Sequence, residues 1–294
     1  MPANNGGTTL MPSPQSLGCV APALAHGNGR PAPSPSLTVD GAYDNNNAAG
    51  TWLGIDSAAT ISHGSLSLVL PCFNEELNIE NTIRTAQDWF RDAHVEGEII
   101  AVDDGSTDGS LQLLRSLQTE MTNLKVLHHQ KNQGYGAAVR SGCDEAQNTW
   151  IAFMDSDGQF RASDISRLLL LTTKADYVTG FRQKRADTFQ RKLNSRLYYA
   201  LVRLVLGVHP SDLNCGMKVF RRSIWKTIRP KYSTGALVNG EMFFAMKNAN
   251  IGWEETAVPH YPRVAGTPTG ANLRVILRTF KELWQLKRSR SVRE

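Results

Sequence analysis

Three short apolar runs in this chain each end in a polar, acidic cluster, and that repetition limits the possible folds more than any other feature. Leu66 to Leu70 leads into Pro71-Cys72-Phe73-Asn74-Glu75, Glu98 to Val102 into Asp103-Asp104-Gly105-Ser106, and Trp150 to Met154 into Asp155-Ser156-Asp157-Gly158-Gln159. Runs of this kind read as buried strands. In a parallel sheet their ends share one carboxyl edge, the usual ligand crevice of open α/β folds, and a metal-bound diphosphate fits there.

The segments between the runs carry helical periodicity. Ile79, Ile83, Ala86 and Phe90 share one face behind an acidic Glu75-Glu76 first turn, and Leu111, Leu114 and Leu117 share another within Ser106 to Gln118. A third strand over Leu124 to Leu127, a third helix over Gly134 to Ala146 and a strand around Asp176 to Thr179 continue the alternation. Strands alternating with helices imply an α/β fold, a doubly wound, mostly parallel sheet flanked by helices in one catalytic-sized domain. That domain is expected over 65–272. After Gly180 the pattern changes to basic helical segments and loops rich in Gly and Pro.

Residues 1–64 are rich in Pro, Ser, Gly, Ala and Asn with little charge and no apolar period, so they are expected to be a flexible low-complexity tail. At the other end, 273–294 reads as a basic amphipathic helix. Leu273, Ile276, Leu277, Phe280, Leu283 and Trp284 lie on one face, and the segment has seven Lys/Arg against two acids. Two readings stand: an interfacial anchor on an anionic membrane surface, or a helix docked on the domain by its apolar face.

The formal charge of +5 comes with no nucleic-acid-binding motif, which argues against a nucleic-acid partner. The four cysteines show no CxxC spacing, and no stretch reaches the roughly 20 apolar residues of a bilayer span, so the expected place is the cytosol, with peripheral membrane contact at most. Nothing in the sequence sets the oligomeric state.

Asp155, Asp157 and Gln159 alternate, so an extended chain would project their oxygens from one face, a donor set suited to Mg²⁺ or Mn²⁺ with substrate phosphates completing the shell. Adjacent Asp103 and Asp104 exceed what helix capping needs, although Ser106 or Asp108 can cap and Gly105 permits a positive φ. Asn74 can cap the helix that follows it, while Phe73 can pack on a base or on the core. His128, His129 and His260 lack metal-ligand spacing and read as structural.

Together Pro71 to Glu75, Val102 to Asp108, Asn132-Gln133-Gly134 and Asp155 to Gln159 resemble the inverting GT-A glycosyltransferases of family 2, over about residues 66 to 272. Gln159 and the later basic motifs resemble the dolichol- or polyprenyl-phosphate sugar transferases in particular. The resemblance implies a metal-dependent transfer from a nucleoside-diphosphate sugar to a lipid phosphate. It assigns Pro71, Phe73, Glu75, Val102 and Asp104 to the nucleoside, and Asp155, Asp157 and Gln159 to the metal on the donor diphosphate, with Ser156 between them. It sets Arg182 against the phosphates, Asp212 to Lys218 on the acceptor side, and Arg263 with Gly266 in a late loop, and it counts Ser156, Arg182, Lys218 and Arg263 with the nucleotide-sugar-binding residues. Asp157, Arg182 and Glu241 are the implied catalytic residues, Glu241 standing where hydroxyl-using relatives often place a base. One departure is Pro268-Thr269, where polyprenyl-phosphate mannosyl enzymes usually carry Ser-Lys.

Three other functions compete. A family 2 enzyme acting on a soluble saccharide or natural-product hydroxyl would gain from Glu241 and Thr269. A nucleotidyltransferase should carry a Gly-rich phosphate loop after the first strand, which Pro71 to Glu75 is not. A membrane-associated scaffold leaves Asp155, Asp157 and Gln159 unexplained.

Overall fold

The computed structural model describes residues 64–183, 189–263, 281–286 and 288. The tail expected over 1–64 lies outside these residues apart from Gly64, as do Gly266, Pro268, Thr269 and the helix positions Leu273 to Phe280. The side chains of Lys184, Arg185, Arg191, Lys192 and Arg196, part of the basic stretch after Gly180, are also outside the description.

The first half follows the alternation in the sequence. Strand β1 (Leu66–Cys72), helix α1 (Ile79–Asp92), β2 (Gly97–Asp103), α2 (Ser110–Glu120), β3 (Leu124–His128), α3 (Tyr135–Glu145) and β4 (Trp150–Met154) succeed one another. A 3₁₀ turn over Ala162–Asp164 opens α4 (Ile165–Leu169), and β5 (Tyr177–Arg182) follows. Then come α5 (Phe189–Leu206), β6 (Met217–Arg221), α6 (Trp225–Ile228), α7 (Val238–Asn248) and β7 (Glu254–Val258). The strands of the described residues form a seven-stranded sheet ordered β3-β2-β1-β4-β6-β5-β7. Strand β6 runs antiparallel to both β4 and β5, while β1 pairs in parallel with β2 and β4, β2 with β3, and β5 with β7.

The expected mostly parallel sheet is therefore present, with one difference. The strand after β4 in sequence is not its neighbour, because β6 is inserted between β4 and β5. Sequence reasoning passed over β6 because Lys218 interrupts its apolar run, yet Lys218 is fully buried. Strand β7 was missed for a related reason: Glu254, Glu255 and Thr256 do not read as interior, and four of its five residues are only half buried.

Alternation along the strands divides the core between the two faces of the sheet. Leu66, Leu68, Leu70, Ile99, Ala101, Ala152, Met154, Met217 and Val219 pack with α1, α2 and α4. Val69, Ile100, Val102, Ile151, Phe153, Tyr177 and Phe220 face the other way, toward α3 and α7. A strand buried on both faces must be apolar at nearly every position, which is why β1 and β4 read as continuous runs. The helix periodicities hold, with Ile79, Ile83, Ala86, Phe90, Leu114 and Leu117 buried, whereas Leu111 is half buried.

Leu283 and Leu286 at the C-terminal end are buried against the second core layer, and Glu282 accepts hydrogen bonds from the Thr234 N–H (3.0 Å) and hydroxyl (3.3 Å). Over these residues the docked reading holds. Trp284, assigned to the apolar face, instead points outward at 58% exposure, with the Arg288 guanidinium 4.6 Å from its ring centroid. Leu286 takes its place in the core.

One buried carboxylate makes the fold sensitive to pH. Asp164 is 4% exposed, its Oδ2 has no hydrogen-bond partner among the described residues, and burial pushes its carboxyl up to about 6 despite Arg167 and Arg161 nearby. Because the folded chain holds this proton more tightly than the unfolded one, the group weakens the fold as pH rises through about 6 and costs nothing below the ordinary carboxylate range. Asp164→Asn is expected to stabilise the protein by about 2 kcal/mol near neutral pH. The gain should vanish by about pH 4, which thermal melts at the two pH values would show.

Candidate active site

The three strand ends are stitched together at the carboxyl edge by their own polar groups. Cys72 of β1 lies opposite Asp103 of β2, the Asp104 N–H donates to the Cys72 carbonyl at 2.8 Å, and the Ser156 hydroxyl donates to the Pro71 carbonyl at 2.6 Å. Ser156 therefore joins β4 to β1, and it is 3% exposed. On the far side of β4, the Asp155 N–H donates to the Gly216 carbonyl at 3.1 Å.

The β1 loop is fixed to the β2 loop. Asn74 adopts a left-handed φ of 55°, its N–H donates to the Ser106 hydroxyl (3.0 Å), and its side-chain oxygen accepts from the Thr107 N–H (2.8 Å). It does not cap α1, whose N-cap is Asn78, so Glu75 and Glu76 precede the helix instead of forming its first turn. The N-cap of α2 is Gly109, and Asp108 just before it accepts from the Ser110 N–H at 3.0 Å where the helix begins, four residues later than the periodicity suggested. At Gly105, with φ of 73°, a Cβ would lie 2.6 Å from the Asn132 nitrogen, so only glycine lets the β2 and β3 loops approach this closely.

The nucleoside residues divide by accessibility. Phe73 is 37% exposed and Glu75 partly so, with Glu75 Oε2 accepting from the Asn78 amide at 2.7 Å and burial raising its carboxyl above the ordinary range. Pro71 and Val102 are buried, and Val102 packs in the core, so they shape the crevice only through the backbone. Asp104 is 2% exposed and fully engaged: it accepts from the Gln133 N–H (2.9 Å), the Gly134 N–H (2.7 Å) and His129 Nδ1 (2.7 Å). His129 Nε2 in turn lies 3.0 Å from the Ser141 hydroxyl, so this histidine is structural, and its task is to hold Asp104. His128 Nδ1 is similarly 2.8 Å from Asp103 Oδ2.

Beyond β4 the chain does not stay extended. Gly158 has φ of 76° and the Gln159 N–H donates to Asp157 Oδ1 at 3.0 Å, so Asp155, Asp157 and Gln159 meet around a turn. Asp155 accepts from the Tyr135 hydroxyl at 2.8 Å, and burial, then the charge of Asp157, pushes its carboxyl up to about 6. Its other oxygen rests on Gly216, where a Cβ would lie 2.0 Å away, so this glycine makes room for the carboxylate. Two mutually repelling carboxylates in such a cradle fit a hard divalent cation.

Segment 261–263 lies along this turn. The Tyr261 N–H donates to the Gln159 carbonyl (3.0 Å), and the Gln159 amide donates to the Tyr261 carbonyl (3.2 Å). That brings the Arg263 guanidinium 2.5 Å from Asp157 Oδ2 and 3.6 Å from Glu75 Oε1. A residue placed late in the sequence thus bridges the first and third acidic clusters.

Three residues assigned to chemistry have other partners. Arg182 forms a two-pronged pair with Asp212 (2.6 and 2.8 Å), which outweighs the cost of burial and raises the guanidinium pKa. Lys218 donates to the Cys215 carbonyl at 2.5 Å, lies 5.5 Å from the Phe153 ring centroid, and has its pKa lowered by burial. Glu241 is 4% exposed and accepts from the backbone N–H groups of Lys231 (2.7 Å), Tyr232 (3.1 Å) and Ser233 (2.7 Å), which makes it the anchor of that loop. The contacts of Tyr135 with Asp155 and of Asp212 with Arg182 were not revealed by the sequence, because the partners are far apart along the chain.

A doubly wound sheet with one antiparallel insertion, and an acidic turn after its central strand, defines the GT-A class of nucleotide-sugar enzymes. The family model for glycosyl transferase family 2 matches residues 67–229, and the chain belongs to that family. It is 33% identical over 226 residues to the dodecaprenyl-phosphate galacturonate synthase of Rhizobium johnstonii, covering 75% of this chain and 65% of that protein. A dolichyl-phosphate beta-glucosyltransferase of Trichomonas vaginalis is 30% identical over 181 residues, 55% of each chain. The chain thus spans about half to two thirds of the length of these relatives. The crystal structure of Mycobacterium tuberculosis glucosyl-3-phosphoglycerate synthase with Mn²⁺, UDP and glucosyl-3-phosphoglycerate superposes with a TM-score of 0.60 at 19% identity. It covers 80% of this chain and 87% of that one, a likeness of fold.

Proposed function

We propose that the chain transfers a sugar from a nucleoside-diphosphate sugar to polyprenyl or dolichyl phosphate with inversion. The observation that carries this reading is the placement of Asp155 and Asp157 at the carboxyl edge, beside Glu75, Phe73 and Arg263. The relatives whose names specify dodecaprenyl or dolichyl phosphate support the acceptor class.

Asp155, Asp157 and Gln159 would hold Mg²⁺ or Mn²⁺, which neutralises charge on the leaving diphosphate when bound. The protein's own residues do the rest. Phe73 offers an exposed ring to the base, Glu75 faces the nucleoside, and Arg263 brings a second positive charge to the diphosphate side. Arg182, fixed by Asp212, organises the acceptor-side segment that runs on to Gly216 and Lys218.

The state of Glu241 separates the two acceptor classes. An alcohol acceptor requires proton removal, whereas a lipid phosphate is already ionised near neutral pH and needs no base. A Glu241 carboxylate committed to three backbone N–H groups suits the ionised acceptor. For membrane contact, the outward Trp284 with Arg288 over its ring gives an interfacial aromatic paired with a cation. Among the described residues no helix is long and apolar enough to cross a membrane.

The test is to incubate purified protein with Mn²⁺ or Mg²⁺ and a panel of GDP- and UDP-sugars, with and without polyprenyl phosphate. Nucleoside-diphosphate release and lipid-linked sugar are both measured. Metal-dependent product formed only with the lipid is the expected result. Donor turnover indifferent to lipid would move the acceptor to a soluble hydroxyl, and no donor binding would sink the transferase reading.

A further inference from the structure

Tyr135 belongs to none of the motifs that carry the family resemblance, yet its hydroxyl reaches the first carboxylate of the acidic turn. The residues on either side of it are fixed independently. The Gly134 N–H donates to Asp104 Oδ2 at 2.7 Å, and Gly134 itself has φ of 102°, a conformation suited to glycine. The Gly136 N–H donates to the Thr234 carbonyl at 2.9 Å, and a Cβ on Gly136 would lie 3.0 Å from the Ser233 carbonyl oxygen and 3.1 Å from that of Gly235. The start of α3 is thus clamped between the β2 loop and the 233–235 loop. From that clamped backbone the Tyr135 ring packs against the second core layer and its hydroxyl donates to Asp155 Oδ1 at 2.8 Å.

We propose that Tyr135 is a positioning residue that presets the Asp155 carboxylate for the divalent cation of the donor complex; this rests on the metal reading given under Proposed function. The physical reason is rotational. A carboxylate on a turn loses side-chain freedom when it binds a metal, and a hydrogen bond that already holds one oxygen removes most of that loss before the metal arrives. Both ends of the bond are fixed: Asp155 by its own N–H on the Gly216 carbonyl and by the Gly216 cradle, Tyr135 by its two flanking glycines. Hydrogen-bond partners of metal-ligating groups typically contribute about 10- to 100-fold to metal affinity.

Tyr135→Phe in the full chain is the appropriate test, because it removes one hydroxyl and keeps the ring that packs on the core. Mn²⁺ binding is titrated by electron paramagnetic resonance with UDP present, alongside thermal melts and initial rates at varied Mn²⁺. The expected result is Mn²⁺ affinity weakened about 10-fold or more, with UDP binding in the absence of metal unchanged. The rate should recover toward wild type as Mn²⁺ is raised, which a purely structural tyrosine would not produce. Unchanged Mn²⁺ affinity in the variant, with or without a lower melting temperature, overturns the proposal. A wild-type chain that binds UDP but no Mn²⁺ overturns the metal reading and this role with it, whereas Mn²⁺ binding without any sugar transfer overturns the proposed activity alone.

Discussion

Replacing Asp157 with asparagine is expected to lower metal-dependent sugar transfer roughly a thousandfold, about 4 kcal/mol of transition-state stabilisation, while the chain still folds. The side-chain oxygen that accepts from the Gln159 N–H can be kept by an amide, so the turn has no reason to open. Arg263 loses its 2.5 Å partner but retains Glu75 at 3.6 Å, which leaves the guanidinium with a carboxylate nearby. What disappears is the negative charge needed to hold a divalent cation against the departing diphosphate. Lipid-linked sugar formation measured over a range of Mn²⁺ concentrations decides the matter. Transfer at the wild-type rate at every concentration would remove Asp157 from the metal site and with it the main support for the proposed chemistry.

Glu241→Ala should instead act on stability, by about 3–5 kcal/mol and roughly 10 °C in Tm. Three backbone N–H groups, those of Lys231, Tyr232 and Ser233, converge on this one buried carboxylate. Removing it strands donors that the fold has already taken out of water, and the cost of an unmade buried hydrogen bond exceeds the gain from a made one. The damage should spread to the neighbouring 233–235 loop, which also contacts Glu282 and Gly136. Glu241→Gln distinguishes an anchor from a base. An anchor predicts a lower Tm with transfer retained below the new melting point. A base predicts a near-normal Tm with kcat lost, and that outcome would favour a hydroxyl acceptor over a lipid phosphate.

The acidic clusters, the helix faces of α1 and α2 and the apolar strands β1, β2 and β4 were legible because each is a local pattern. Period 2 or 3.6, or a continuous apolar run, is written within a dozen residues and needs no knowledge of the partner. The convergence of the three clusters followed from the handedness and direction of parallel strands, and the Cys72–Asp103 register and the Ser156–Pro71 hydrogen bond show it directly. Strands β6 and β7 were illegible for the opposite reason. Lys218 and the Glu254-Glu255 pair put charge where an apolar run would mark a strand, so their local pattern denies the role that the fold gives them.

The sequence by itself determined the class of fold, the strand edge proposed for the chemistry and the carboxylates that stand there, since these depend on short-range periodicity and on strand direction. The tertiary structure alone decided which charged groups are committed elsewhere. Arg182 is claimed by Asp212, Glu241 by a loop eight to ten residues away, Asp104 by the Asn132-Gln133-Gly134 turn, and Asp155 and Asp157 by Tyr135 and Arg263. A carboxylate's role depends on what has already filled its oxygens. Those partners arrive through contacts 8 to 106 residues apart that no local pattern records.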